Sequence, residues 1–316
     1  MGKKISRRSF IKKTVMLGAA SIAGERVFHA VAGSWERPVF ASDEIDLSVA
    51  KGRDPFAATQ KAVEQLGGMG RFVSRNSRVG LLVNWPFRNI GAHVRPDVVL
   101  ALVGMCYEAG AKEICTLSPE FSGYWQTSTL SAKFQDEIRS LKPSSGNYVE
   151  QEIKQGKSLR KAQIIKDLLE CDVFIDVPLT KDHEGCKFSG AMKNMMGLAP
   201  HSTCRIFHSG ANGQARGYYD DVDHLSQCIA DLNLIRRPDL CVSDSTEFIT
   251  DKGPYGPGPM KKPDLVVAST DRVLIDSYCC RLLGLEPKGI SMIIRAAQFG
   301  LGIMDLGKAK IREAAL

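Results

Sequence analysis

The chain has 316 residues, of which 44% are hydrophobic and 24% charged, and a formal net charge of +7. This length and composition are typical of a globular protein with one large domain or two small ones. The positive charge is concentrated at the N-terminus, because removing the +6 of residues 1–32 from the total of +7 leaves +1 for the rest. A nearly neutral body has no general electrostatic affinity for nucleic acid, so we expect no nucleic-acid partner.

The first 32 residues have the order of features found in an export signal. Arg7 and Arg8 precede a short apolar stretch, which is far below the ~20 apolar residues that a membrane-spanning helix needs. Residues suited to a signal peptidase precede two alternative cuts, after Ala32 and after Ala41. We therefore predict a twin-arginine signal peptide over residues 1–32, with the Tat translocase as its partner. This predicts a bacterial protein exported in the folded state to the periplasm or another extracytoplasmic space, with no stable membrane span after cleavage.

Apolar and amphipathic segments alternate along the rest of the chain. Residues 33–75 are predicted to form an N-terminal arm and a first helix, and residues 76–316 an α/β domain. The strands are predicted at 79–83, 113–117, 173–177, 240–242 and 265–268, and the helices at 96–110, 158–169, 221–234, 272–283 and 290–299. This alternation predicts a single large α/β domain, with a largely parallel central sheet and helices on both faces. Ligands in such sheets bind beyond the carboxyl ends of the strands.

The stretch after the strand at 173–177 contains the candidate site. Lys181, His183 and Lys193 are predicted to lie in one loop and in the short helix that begins near Gly190. Free backbone N–H groups at the start of that helix, together with the lysines, favour a carboxylate or phosphate ligand. His183 is predicted to carry a proton, and a desolvated Lys181 to act as base or nucleophile. The alternative is a solvated basic loop followed by a packed helix.

The same stretch resembles a known family. Lys181-x-His183, followed by the sequence Gly-Ala-Met-Lys-Asn-Met-Met-Gly from Gly190, is similar to the central motif of the domain of unknown function 362 family. The resemblance extends from about residue 79 to residue 306. It implies an α/β domain of unsettled biochemistry, a family often associated with iron–sulfur or redox proteins. It also implies that Lys193 and Asn194 belong to the family's central motif.

Two departures from the family pattern concern the ligand. The first strand of many relatives ends in Lys-Pro-Asn, whereas residues 84–86 are Asn-Trp-Pro here, so Arg88 is a candidate substitute for the lysine. An appended ferredoxin-like cysteine module is also missing, since none of the nine cysteines forms a Cys-x-x-Cys pair. Cys186 and Cys204 are the candidate ligands if the protein holds a metal or iron–sulfur centre, and the cofactor stays open. His208, in a glycine-rich segment, is a further candidate for substrate contact.

Three classes of function are compatible with these residues. The first is an enzyme acting on a small anionic substrate, with Lys181 and His183 in acid–base roles, and with Lys193 and Asn194 holding the anion. The second is a redox or metal-bearing protein loaded with its centre before folded export. The third is a ligand-binding protein without catalysis. The coherent Lys–His motif and the absence of cluster spacing among the cysteines favour the enzyme.

Overall fold

The computed structural model describes residues 45–316, so the predicted signal peptide and both predicted cleavage sites lie outside the described residues. No helix within residues 45–316 is both long and apolar enough to cross a bilayer. The strands are β1 (Leu47–Lys51), β2 (Arg78–Val83), β3 (Glu113–Thr116), β4 (Lys142–Pro143), β5 (Tyr148–Glu152), β6 (Lys161–Ile165), β7 (Val173–Val177), β8 (Lys181–His183), β9 (Lys187–Ser189), β10 (Leu240–Ser245), β11 (Phe248–Ile249), β12 (Met260–Lys261), β13 (Leu265–Ser269) and β14 (Ile311–Ala315). The helices are α1 (Pro55–Gln65), α2 (Pro96–Glu108), α3 (Gln135–Ser140), α4 (Asp167–Glu170), α5 (Ala191–Asn194), α6 (His201–His208), α7 (Val222–Leu232), α8 (Arg272–Leu282) and α9 (Ser291–Gln298).

Eight strands form the central sheet, in the order β14-β1-β13-β10-β7-β2-β3-β4. All neighbours are parallel except those of β13, which runs antiparallel to both β1 and β10. Successive residues of β7 alternate between two apolar cores: Phe174 belongs to the core under α7, α8 and α9, and Ile175 to the core under α1 and α2. Because successive strand residues point to opposite faces, helices cover both faces of the sheet. The predicted architecture is confirmed.

The predicted boundary between an N-terminal arm and the domain was wrong. β1, placed in the arm by its sequence, lies inside the central sheet between β13 and β14. Its first four residues are buried, and α1 packs against it. A five-residue strand that contains a serine has too little periodicity to be recognised alone, whereas the neighbouring strands on both sides supply its hydrogen bonds. The domain therefore begins before residue 76.

The helix predicted over residues 158–169 was also wrong. The chain forms β6 there, paired antiparallel with β5, and only one helical turn, α4, follows. The Ser158 backbone N–H donates to the carboxylate of Asp231, at 2.7 Å. Residues 161–165 alternate between exposed and buried positions over four residues, the period of a strand rather than of a helix. The other predicted helices and strands agree with the structure to within a few residues.

The candidate site lies beyond the carboxyl end of β7. There the chain continues beside β10 through a bridge between Leu179 and Asp244, and then forms a hairpin from β8 and β9 where a loop was predicted. A second loop, residues 250–259, packs against this hairpin, and the Gly253 N–H donates to the Asp182 carboxylate at 2.8 Å. A Cβ atom at Gly253 would lie 1.9 Å from the Asp182 carbonyl oxygen, so only glycine permits this approach. The loop thus forms a wall beside the hairpin.

Candidate functional site

Lys181 is buried, with 1% of its surface exposed. Its Nζ donates to Asn84 Oδ1 at 3.0 Å and to the Ala92 carbonyl at 2.7 Å, and lies 4.5 Å from the centre of the Phe87 ring. Burial, and secondarily the charge of Lys193, lowers the pKa of Lys181 well below its usual 10.5. Within the described part of the chain no carboxylate pairs with it. A neutral amine would satisfy both of its hydrogens here and keep a lone pair for chemistry.

A chain of polar side chains lies behind Lys181. Asn84 Nδ2 donates to Asn194 Oδ1 at 3.1 Å, and Asn194 Nδ2 donates to Asp176 Oδ1 at 2.6 Å and to the Leu82 carbonyl at 3.1 Å. Both hydrogens of the Asn194 amide and its oxygen are therefore engaged. The structure does not support the predicted role of Asn194 in holding a substrate anion, because its polar groups already bind protein atoms.

The N-terminus of α5 is occupied by a carboxylate from the protein itself. The N–H groups of Ala191 and Met192 donate to the two oxygens of Asp276, on α8, at 2.6 and 2.9 Å. The prediction that these amides are free for a substrate was wrong. A Cβ atom at Gly190 would lie 2.3 Å from Asp276 Oδ1, so this glycine gives the carboxylate room to reach the helix. That packing accounts for Gly190 without a substrate contact.

His183 is buried next to Lys181 on β8. Its Nδ1 accepts from the backbone N–H groups of Gly185 and Cys186, at 3.2 and 3.3 Å. Its ring lies 5.3 Å from that of Tyr219, edge to face. Burial, with the nearby charges of Lys193 and Lys181, lowers the pKa of His183 to about 2. Such an imidazole stays neutral near pH 7 and carries its hydrogen on Nε2.

Lys193 is the second cation of the site. It is half-buried on α5, and its Nζ lies 3.5 Å from Met196 Sδ, a weak acceptor. Burial lowers the pKa of Lys193, and the thiols of Cys186 and Cys204 oppose that shift. Like Lys181, it makes no ion pair with a carboxylate of residues 45–316. Two lysines without counter-ions therefore lie on either side of His183 in sequence and interact electrostatically with it.

His208 and Arg88 are the remaining predicted substrate contacts, and only His208 lies near His183. His208, at the end of α6, is half-buried and bonds through Nδ1 to the Tyr218 carbonyl oxygen at 2.7 Å. Burial lowers its pKa, and it lies 6.0 Å from the Tyr219 ring that also contacts His183, so the structure brings the two histidines together. Arg88 is exposed and lies over the Phe121 ring at 5.8 Å, and it is not among the groups that bond to Lys181.

The two predicted metal ligands do not form a metal site with the donors around them. Burial raises the pKa of Cys186 and of Cys204, although Lys193 opposes the shift in both. The Cys204 Sγ donates to the carbonyls of Met196 and Ala199. Within residues 45–316 no group of three or more His, Cys, Asp or Glu side chains is close enough to hold a metal ion. These donors do not fit an iron–sulfur centre.

A pocket of about 680 Å³ lies beside the hairpin. It is lined by residues 182–184 and Lys187 of the hairpin, by the loop residues 250–253 and Tyr255, and by Leu283 and Leu285. His183 is a lining residue, whereas Lys181 and Lys193 are not among them. Neither lysine therefore lines the pocket, and Lys181 is covered by the segment from Asn84 to Ala92.

Sequence reasoning assigned no role to three side chains that hold the site together. Asn84 contacts Lys181, Asp176 anchors the amide chain, and Asp276 caps α5. Asp176 and Asp276 are buried and their pKa values are raised by burial, to about 8 and about 7. The one available sign was an aspartate in the middle of an otherwise apolar strand, since a buried carboxylate needs partners.

The fold and this cluster define an α/β protein with a buried lysine–histidine site at the carboxyl end of a parallel strand. Residues 79–281 match the family model described as domain of unknown function (DUF362), and the chain belongs to that family. The predicted resemblance is thereby confirmed.

The chain is also similar to a curated protein and to solved structures. It is 27% identical over 254 residues to a thylakoid-associated protein, sll1697, of Synechocystis sp.. The matched region covers 78% of this chain and 75% of that protein. The apoprotein of lactate racemase from Thermoanaerobacterium thermosaccharolyticum is 14% identical, with a TM-score of 0.41, over 76% of this chain and 57% of that one. A protein from Thermotoga maritima is 14% identical, with a TM-score of 0.40, over 74% of this chain and 60% of that one. The chain spans less than two thirds of either solved structure, and neither similarity bears on function.

Proposed function

We propose that this protein is an exported enzyme acting on a small carboxylate or phosphate compound. The observation that carries the proposal is the pair of lysines, Lys181 and Lys193, that lie beside His183 without a carboxylate partner in the described structure. Removing an ammonium group from water without a counter-ion is unfavourable, and a site that keeps one at Lys193 is suited to an anion that supplies the missing charge. The position beyond the carboxyl end of β7 is where parallel sheets bind ligands.

Each residue has a role that follows from its surroundings. Lys193, half-buried and without a strong acceptor, binds the anionic group of the substrate. His183 is kept neutral by burial and carries its hydrogen on Nε2 because Nδ1 accepts two backbone N–H groups, so it donates a hydrogen bond through Nε2. Lys181, whose pKa is lowered, uses its lone pair as a base or nucleophile. Burial favours the neutral amine because it removes the solvation that an ammonium group requires.

Access to Lys181 requires the covering segment to move. Phe87 lies over the amine, while the following residues Arg88, Asn89 and Ile90 are exposed. The segment is held to the pocket wall by a hydrogen bond from Asn89 Nδ2 to the Tyr255 carbonyl at 2.8 Å, and by the Phe87 and Tyr255 rings at 4.7 Å. A few such surface contacts can open without unfolding the core. Substrate therefore reaches Lys181 when residues 86–91 separate from the wall.

Binding of inorganic phosphate and of succinate, measured by isothermal titration calorimetry, tests the anion site. Replacing Lys193 by Met removes a charged hydrogen-bond donor worth roughly 1.5–3 kcal/mol, so affinity falls about ten- to a hundredfold. Lys161→Met is the matched control, because Lys161 is exposed and pairs with Glu150 at 3.0 Å. Equal affinity in the two variants would refute the assigned anion site.

A screen of small carboxylates and phosphate esters tests the catalytic role. With any substrate that is turned over, Lys181→Met abolishes turnover while Lys161→Met retains it. The metal content of the anaerobically purified protein is measured in parallel. Stoichiometric iron or nickel that is lost in Cys186→Ala or Cys204→Ala would replace this proposal with a redox or metal-bearing function.

The export part of the proposal rests on the N-terminal sequence and on the thylakoid-associated relative. Changing Arg7 and Arg8 together to Lys removes the arginine pair while keeping the charge, so we expect the full-length protein to accumulate in the cytoplasm. The control changes Lys3 and Lys4 together to Arg. Cell fractionation that finds the Arg7/Arg8 variant outside the cytoplasmic membrane, at the level of the control, would contradict twin-arginine export.

A further inference from the structure

We propose that Asp176, Asn194 and Asn84 form a hydrogen-bonded chain that positions the amine of Lys181, with Asn84 as the positioning residue in direct contact with it. The inference deepens the proposed function, on which it rests for the catalytic use of Lys181. It concerns the orientation of the amine, which can be measured without any substrate.

The chain is continuous from a carboxylate to an amine. Asp176 Oδ1 accepts from Asn194 Nδ2 at 2.6 Å, Asn194 Oδ1 accepts from Asn84 Nδ2 at 3.1 Å, and Asn84 Oδ1 accepts from Lys181 Nζ at 3.0 Å. The carboxylate is fully buried, the Asn194 and Lys181 side chains are almost fully buried, and Asn84 is half-buried. Water therefore has little access to compete for these hydrogen bonds.

The direction of both amides is determined by their partners. The Leu82 carbonyl can only accept, so Asn194 must present its NH₂ group to it, and the same NH₂ group donates to Asp176 Oδ1. The Asn194 oxygen is then left to face Asn84, which must present its own NH₂ group to it. The Asn84 oxygen consequently faces Lys181. The chain thus presents an acceptor, and never a donor, to the amine.

This arrangement determines where the lone pair of a neutral Lys181 points. The amine has two hydrogens, and the second is taken by the Ala92 carbonyl at 2.7 Å. With both hydrogens engaged, the lone pair is directed away from Asn84 and from Ala92. The other titratable groups that interact with Lys181 are Lys193 from α5, His93 from the covering segment and its strand neighbour His183. None of them provides a competing acceptor with a negative charge.

Asn84→Asp is the most direct test of the contact. A carboxylate in place of the Asn84 amide would face Lys181 at about the present distance and favour the ammonium form, which raises the pKa of Lys181 by roughly one to three pH units. The matched control is Asn89→Asp, which adds the same charge to the same segment at a side chain that bonds to Tyr255. The readout is the ζ-¹⁵N resonance of Lys181 in the purified mature protein, assigned by its loss in Lys181→Met and followed against pH.

Asp176 tests the remote end of the chain. In Asp176→Asn, the amide oxygen can accept from Asn194 as the carboxylate does, so we expect the Lys181 titration to stay close to that of the wild type. Asp176→Leu removes the acceptor, which releases Asn194 and Asn84 and lowers the pKa of Lys181 further. Circular dichroism establishes that each variant is folded, and if Asp176→Leu is not, the comparison of Asn84→Asp with Asn89→Asp decides the proposal.

Two results would overturn the inference. A Lys181 titration in Asn84→Asp that is no higher than in Asn89→Asp would show that Asn84 does not face the amine. A folded Asp176→Leu variant with the wild-type titration would show that Asn84 acts alone and that no chain reaches Asp176. If the pKa of Lys181 shifts as expected but the protein turns over no substrate, the positioning chain is supported and only the enzymatic function is refuted.

Discussion

Replacing Gly190 by Ala should strongly destabilise the protein, because no space exists for the added methyl group. Its Cβ atom would lie 2.3 Å from Asp276 Oδ1 and 2.6 Å from Phe188 Cζ. Moving the carboxylate breaks at least one of its two hydrogen bonds to the N-terminus of α5, each worth roughly 1.5–3 kcal/mol to a charged acceptor. Displacement of the aromatic ring adds ~1–3 kcal/mol of overpacking. The expected loss of unfolding free energy is about 3–5 kcal/mol, a large part of the ~5–15 kcal/mol of a typical domain.

Urea unfolding followed by circular dichroism measures this loss. Gly104→Ala is the control, because Gly104 is a buried glycine inside α2 with nothing within 4 Å of its added Cβ atom. That variant should gain ~0.5–1 kcal/mol through the lower entropy of its unfolded chain. In a double-mutant cycle, the cost of Gly190→Ala should be smaller in an Asp276→Ala background, since the methyl group then has room. A Gly190→Ala variant within ~1 kcal/mol of the wild type, or the same cost in both backgrounds, would refute this account.

Two further changes test the buried carboxylates by the same unfolding measurement. Burial raises the pKa of Asp176 to about 8, against ~3.9 in an unfolded chain, so the folded protein keeps a proton that the unfolded chain releases. The stabilisation from this proton is complete below about pH 4 and is lost as the pH rises through 8. Relative to Asp176→Asn, the wild type should therefore lose up to ~1.4 kcal/mol of unfolding free energy per pH unit between pH 5 and 7.5. Parallel profiles of unfolding free energy against pH for the two proteins would contradict this. Asp271 accepts from the N–H groups of Val273 and Leu274 at the start of α8, and from that of Ile303. Asp271→Ala should therefore cost about 2–3 kcal/mol, and a loss below ~0.5 kcal/mol would exclude this capping role.

The elements that sequence reasoning located well are those with a long or uniform pattern. The helix starting at Pro96 and the strand at 173–177 carry enough apolar positions to show their periods, and both were predicted within two residues of their observed ends. Residues 47–51 and 161–165 were misjudged because each forms a strand of only five residues. The partners of the first strand, β13 and β14, lie far away in the sequence, and the second strand pairs only with β5 in a hairpin. Hydrogen bonds to that partner, rather than local propensity, stabilise such strands.

In the candidate site, too, residues with a local sequence pattern were predicted and long-range contacts were not. Lys181, His183 and Lys193 were found because their residue types and close spacing at the end of a strand are unusual. The contacts of Asn84 and Asp276 were not predicted, because these residues lie 97 residues before Lys181 and 85 residues after Ala191. No local pattern connects residues at such separations.

The sequence by itself determined the alternating elements, the parallel sheet they require and the stretch in which the site lies, since each follows from local periodicity and from the geometry of parallel strands. The tertiary structure decided the chemical state of that stretch. It occupies the helix amides with Asp276, buries Lys181 against Asn84 and Ala92, and buries His183 with its Nδ1 bonded to two backbone N–H groups. The reason is physical: desolvation and hydrogen-bond direction depend on which distant groups fold against a side chain, and these set its pKa and its free donors.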